Sequence, residues 1–160
     1  MGASAGEAHL VGLISDTHGL VRPQALAALA GSGLILHAGD IGSPSVLEEL
    51  ASVAPVVAVR GNNDKGAWAE SLPDYEVAEV GGAFIYVLHD ANELDLSPEA
   101  AGFRAVVSGH SHRPSVREHR GVLYVNPGSA GPRRFKLPVS VARLRVRGVE
   151  VEAEIVELRV

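Results

Sequence analysis

Apolar residues along this chain come in short runs that stop abruptly at polar side chains. The first, His9 to Ile14 (HLVGLI), ends at Ser15-Asp16. Runs of this length bounded by turn residues predict buried strands. Val21 to Ala30 predicts a helix, with Pro23 in its first turn and Gly31 after its end. Gly33 to His37 predicts a second strand. Pro44 to Val53 predicts a second helix, with Ser43 as its cap. Pro55 to Arg60 predicts a third strand. This β-α-β-α-β order is that of a parallel sheet with crossover helices.

Strands then follow at closer spacing. Tyr75 to Val80 and Ala83 to Leu88 flank Gly81-Gly82, a hairpin signal. Ser97-Pro98-Glu99 opens a short helix that Gly102 ends. Arg104 to Ser108 is another apolar strand. Val116 to His119 and Val122 to Val125 flank Arg120-Gly121; Val139 to Val146 and Val149 to Leu158 flank Arg147-Gly148. The second half is therefore expected to be mostly antiparallel. The fold class expected is α/β, two mixed β-sheets packed as a sandwich with flanking helices. One domain is expected over residues 9–160, behind a flexible N-terminus at residues 1–8.

Composition narrows the chemistry. A chain of 160 residues, 46% of them hydrophobic, can bury a core of its own. It has no cysteine, which excludes disulfides and thiolate metal sites but leaves metals held by histidine and carboxylate. A net charge of −5 argues against broad, non-specific nucleic-acid binding, which needs a basic face. No apolar run is long enough to cross a bilayer. Met1 to Ala8 lacks the apolar stretch of a secretory signal, so a cytoplasmic protein is expected.

The polar residues that stop the strands are the informative ones. The first strand ends in Asp16-Thr17-His18, the second in His37-Ala38-Gly39-Asp40, and the third leads into Gly61-Asn62-Asn63-Asp64. Later strands end in His89-Asp90 and Gly109-His110-Ser111-His112. The carboxyl ends of parallel strands share one edge of a sheet, and sites form there. Carboxylate oxygens and neutral imidazoles at such an edge suit Mn, Fe, Co, Ni or Zn. Taken singly, Asp16-Thr17-His18 reads as a turn and helix cap, and Asp40 as a loop residue. His110 and His112, two apart, would share one face if they lay in a strand, and without partners they read as surface histidines.

Together the blocks SDTHG (15–19), HAGDIGS (37–43), RGNNDKG (60–66), LHD (88–90) and SGHSHRP (108–114) resemble the calcineurin-like metallophosphoesterase superfamily. VNPGSAGPRR (125–134) resembles its small bacterial and archaeal phosphodiesterase branch. The resemblance implies a phosphoesterase, most often a phosphodiesterase, acting on a small-molecule phosphate ester. It implies two divalent metal ions, manganese foremost. Asp16, His18 and His112 would hold the first, and Asn62, His89 and His110 the second. Asp40 would bridge them, and a hydroxide between the metals would attack phosphorus in line. Many relatives carry a proton-donating histidine where this chain has Asn63. An amide cannot act as a general acid, so aryl diesters are expected to be better substrates than alkyl ones. Asn63 and Asp64 remain the catalytic candidates beside the ligands.

Other positions keep two readings. Arg134, in the cluster Arg133-Arg134-Phe135-Lys136, is either a solvated loop residue or a phosphate clamp. Trp68 either lines a cleft or closes a loop. His37 either supports the ligands or is a satisfied histidine, while His9 and His119 read as surface residues. Asp90 either tunes His89 or faces solvent. Asp64 is expected to bond nearby backbone. The competing functional class is a protein-binding scaffold with the same fold. A nuclease is a third class that the acidic balance disfavours. The oligomeric state is left open by the sequence.

Overall fold

A strand buried on both faces needs cover on both sides, and crossover helices supply it. The computed structural model describes residues 7–160. The elements are β1 (Ala8–Ile14), α1 (Pro23–Leu29), β2 (Leu34–His37), α2 (Pro44–Ala51), β3 (Val56–Ala58), α3 (Ala67–Glu70), β4 (Tyr75–Val80) and β5 (Ala83–Leu88). They continue with α4 (Pro98–Ala101), β6 (Phe103–Val107), β7 (Ser115–His119), β8 (Val122–Asn126), β9 (Ser140–Arg147) and β10 (Glu150–Glu157). Of the N-terminal segment expected to be flexible, residues 1–6 lie outside the described residues, and Ala8 already belongs to β1.

The strands form two five-stranded sheets, ordered β10-β9-β1-β2-β3 and β4-β5-β6-β8-β7. In the first sheet β1, β2 and β3 run parallel, and β9 pairs antiparallel with β1. Both sheets are mixed, as expected, but the second contains two parallel pairings that the hairpin signals do not announce. Only its outer pairs, β4 with β5 and β7 with β8, are antiparallel. β5, β6 and β8 run parallel, because the chain returns through α4 before β6 and through β7 before β8. The carboxyl ends of β5 and β6 therefore share an edge.

The sheets pack face to face over an apolar core that includes Val11, Leu13 and Leu36 of one sheet and Ile85, Val87 and Val107 of the other. A second core lies between the first sheet and its helices, with Ile14, Ile35, Leu29 and Leu50 fully buried. The turn after β7 places Arg120 at φ 52° and Gly121 at φ 76°, the left-handed pair that a tight hairpin takes. Ser43 occupies the N-cap of α2, but its hydroxyl meets Ser45 Oγ at 2.7 Å instead of capping the helix. Short α3 was not expected. Its Trp68 packs on the core beneath the helices, so the loop-closing reading of this residue is the one realised. Among the described residues no helix is long and apolar enough to cross a membrane.

Candidate metal centre

The ligand-type residues sit at bends just beyond the strand ends, and their backbones are unusual. Asp16 (φ 54°), His18 (φ 47°), Asp40 (φ 56°), His110 (φ 71°) and His112 (φ 63°) are all left-handed. Among the described residues only Arg120 and Phe135 share this conformation without being glycine. It costs a side-chain-bearing residue on the order of 1–3 kcal/mol, and persists where the surroundings hold it. His110 and His112 thus lie in a loop. They follow the end of β6, as the sequence places them, and both take a left-handed backbone.

The surroundings are a dense hydrogen-bond frame. Asp16 is fully buried, and its Oδ2 accepts from Ser15 Oγ (2.7 Å) and from the backbone N–H of His110 (3.1 Å). Its other oxygen, Oδ1, is buried with no partner. That oxygen lies 3.3 Å from His112 Nε2 and 4.0 Å from Nε2 of both His18 and His89. His18 Nε2 is also buried without a hydrogen bond. Asp40 Oδ2 lies 3.4 Å from His89 Nε2 and 3.9 Å from His18 Nε2. One ligand atom each from Asp16, His18 and His112 falls within 4.8 Å of the others; so does one each from Asp16, Asp40 and His89.

His89 shows what the arrangement demands. Its Nδ1 is 2.7 Å from the Ala38 carbonyl, which can only accept, so Nδ1 carries a proton. In a neutral ring the Nε2 lone pair then faces two carboxylates. That contact is stable only if the ring is protonated or if a cation lies between. Burial opposes protonation of His89, but Asp40 and Asp16 outweigh it and raise the pKa. Burial likewise works against ionisation of Asp40, and the hydrogen bonds from His89 and Asn63 reverse it, holding the carboxyl well below its ordinary range. Partnerless buried oxygen and nitrogen, aimed at one point with two carboxylates nearby, fit a divalent first-row cation.

Residues outside the ligand set hold the loops. His37 is fully buried; its Nδ1 accepts from Gly39 N–H at 3.1 Å, so Nε2 carries the proton and donates to Thr17 Oγ1 at 2.9 Å. Thr17 Oγ1 in turn donates to the Ile41 carbonyl. This chain clamps the Asp16–His18 loop to the Gly39–Ile41 loop. Asp64 accepts from Gly61, Ile41 and Gly42 backbone N–H groups at 2.9, 3.2 and 3.0 Å. Its carboxylate is thus engaged with backbone. Asn126 donates to the Gly109 carbonyl, and Ser129 to the carbonyl of Asp16. The sequence marked the VNPGS block without revealing these two contacts, which cross 17 and 113 residues.

His37 has a consequence for acid stability. Burial pushes its pKa from 6.5 to about 3; repulsion from His89 adds to this and the Asp40 charge opposes it. The folded value lies below the unfolded one, so the unfolded chain binds the proton first. The stability this contributes is full above about pH 6.5 and falls as pH drops toward 3, at up to about 1.4 kcal/mol per pH unit. Urea unfolding at pH 6.5, 5.5 and 4.5 should show His37→Gln with a shallower pH slope than the parent. Equal slopes would remove His37 from the acid transition.

The remaining candidates are distributed as follows. Asn62 is exposed and lines a cavity of about 580 Å³ with His89 and His110. His110 Nδ1 is 3.3 Å from His89 Nε2. Asn63 holds Asp40 twice, through its backbone N–H to Oδ1 (2.8 Å) and its side-chain Nδ2 to Oδ2 (3.0 Å). Asp90 lines the same cavity, with Oδ2 3.8 Å from His110 Nε2. Arg134 is exposed, yet near enough that its charge disfavours protonation of His112, whose pKa is lowered chiefly by burial.

Comparison with known proteins agrees with this geometry. Residues 10–148 match the calcineurin-like phosphoesterase superfamily domain. A probable metallophosphoesterase of Methanothermobacter thermautotrophicus is 36% identical over 159 residues, covering 92% of this chain and 91% of that protein. Two solved structures share the fold. Vacuolar protein sorting 29 of Cryptosporidium parvum superposes with a TM-score of 0.79 at 24% identity, covering 95% of this chain and 92% of that one. A novel archaeal phosphodiesterase gives 0.76 at 22% identity, covering 92% and 99%. From its matched domain and its archaeal relative, this chain belongs to the calcineurin-like phosphoesterase superfamily, whose members use divalent metals.

Proposed function

We propose that this chain is a phosphodiesterase that works with two divalent cations. The observation that carries the reading is the buried, partnerless Asp16 Oδ1, ringed by His18, His89 and His112. Asp16, His18 and His112 would hold one cation; Asn62, His89 and His110 the other; Asp40 would serve both. Manganese is favoured among the first-row ions that suit such a set. Bound there, divalent cations would lower the pKa of a water to roughly 7 and neutralise phosphate charge.

The protein's own residues do the rest. Ser15 and the His110 amide fix one oxygen of Asp16, which leaves the other aimed inward. Ala38 fixes the His89 tautomer with its Nε2 lone pair toward the centre. Asn63 orients Asp40 and brings no acidic proton to a departing alcohol. Weakly basic leaving groups should therefore depart fastest. The archaeal phosphodiesterase of the same fold supports a diester substrate.

The test is hydrolysis of bis(p-nitrophenyl) phosphate by metal-stripped protein, with Mn²⁺, Ni²⁺, Zn²⁺ or Mg²⁺ restored one at a time. Turnover that returns with one of them is the expected result. No turnover with any, from folded and metal-loaded protein, would favour a protein-binding scaffold.

A further inference from the structure

Away from the cations proposed at its floor, the walls of the cavity beside His89 and His110 are acidic. Arg60, on one wall, is engaged by Asp74 at 3.1 Å. What remains is Asp90, Glu93 and Asp95 against the single ammonium of Lys65. Two tyrosines line the same space. Tyr86 is 5% exposed and held edge-on by Phe103 at 5.2 Å. Tyr75 stacks on Tyr86 at 5.6 Å with 15° between the planes, yet is 59% exposed. Burial, and then the adjacent Asp95 charge, push the Tyr86 phenol above its ordinary pKa, so the ring stays neutral.

Tyr75 is the ring left open to a ligand, because Tyr86 is covered by Tyr75 and Phe103. Carboxylates beside an open ring form a cation-recognising surface, since an ammonium gains from both the charge and the ring quadrupole. A cleft walled by one sign of charge also concentrates ligands of the other. A nucleotide polyphosphate would bring further negative charge against these walls.

Resting on the phosphodiesterase reading above, we infer that the cavity receives an ammonium-bearing alcohol arm, so that the preferred substrates are zwitterionic phosphodiesters of a choline-like or ethanolamine-like alcohol. In their hydrolysis one P–O bond forms to the oxygen of water and one ester P–O bond breaks. The departing oxygen takes up a proton, and a monoester and an alcohol result. The cleft selects one arm of the diester through charge and leaves the phosphorus chemistry to the centre at its floor.

The experiment compares p-nitrophenyl phosphocholine with its neutral isostere, p-nitrophenyl 3,3-dimethylbutyl phosphate, beside bis(p-nitrophenyl) phosphate. The first two share a leaving group and a shape and differ by one charge. The phosphocholine ester should have a kcat/KM about tenfold higher, expressed mainly in KM. Glu93→Gln combined with Asp95→Asn should bring that ratio toward one, and both positions are exposed enough to accept the change. A ratio of one or below in the parent protein, with bis(p-nitrophenyl) phosphate still hydrolysed, overturns the inference and leaves the phosphodiesterase reading intact. A ratio that the double substitution does not lower overturns the assignment of these carboxylates. Failure to hydrolyse any of the three sinks the phosphodiesterase reading and this inference with it.

Discussion

Asp16→Asn is expected to lower turnover at least about a hundredfold while leaving the metal-free protein no less stable to heat. Loss of a group that merely supports a metal ligand costs about 10–100-fold, and Asp16 is proposed as a ligand itself. The two effects separate because its two oxygens have different jobs. Oδ2 accepts from Ser15 and the His110 amide, and an amide oxygen can take over both bonds. The NH2 then occupies the place of Oδ1, which has no hydrogen-bond partner in the structure and lies 3.3 Å from His112 Nε2. A buried acceptor without a donor is replaced by a donor facing an imidazole, which relieves a desolvation cost of about 1–3 kcal/mol. The same NH2 cannot ligate a cation. Thermal unfolding with and without Mn²⁺ tests both halves. The parent should gain stability, about 2.7 kcal/mol at a hundred times Kd, and the variant should gain little. Equal stabilisation of both would remove Asp16 from the proposed ligand set.

The residues in this argument were legible in the sequence for a physical reason. A buried strand is apolar, so a carboxylate or imidazole at its end marks where the strand leaves the core. Asp16, Asp40 and His89 stand out in this way without any knowledge of the fold. The hairpins were legible too, because Gly81-Gly82, Arg120-Gly121 and Gly148 specify turns locally. What failed was non-local or too short. The parallel pairing of β5, β6 and β8 is decided between segments that no single turn connects. The four residues of α3 span barely one turn and carry no period to read. The clamps made by His37, Asn126 and Ser129 are hydrogen bonds to distant loops, and a side chain's distant partner leaves no local pattern. The strand end before His110 and His112 is legible, but the positive φ at both histidines is not, since it cannot be inferred from their neighbours.

Gly61→Ala should be severely damaging for the addition of a single methyl group. A Cβ at this position would run into the backbone nitrogen and carboxylate of Asp40, with Cγ only 2.8 Å away. Gly61 is not among the residues with positive φ, so alanine suits its backbone and the fault is purely one of space. Neither neighbour can give way easily. The Gly61 amide is bonded to Asp64, which also holds Ile41 and Gly42, and Asn63 holds both oxygens of Asp40. The two loops must therefore part as a unit. Overpacking of this kind costs about 1–3 kcal/mol of stability. A displacement of Asp40 of about 1 Å would lower turnover about a hundredfold. Gly121→Ala, on the far β7–β8 turn, is the contrast. It has open space around it and φ 76°, so it should cost stability through backbone strain with kcat unchanged. Urea unfolding and metal titration on both variants separate the effects. If Gly61→Ala binds metal and turns over like the parent, the Asp40 loop is compliant, and the frame described here is not what positions the centre.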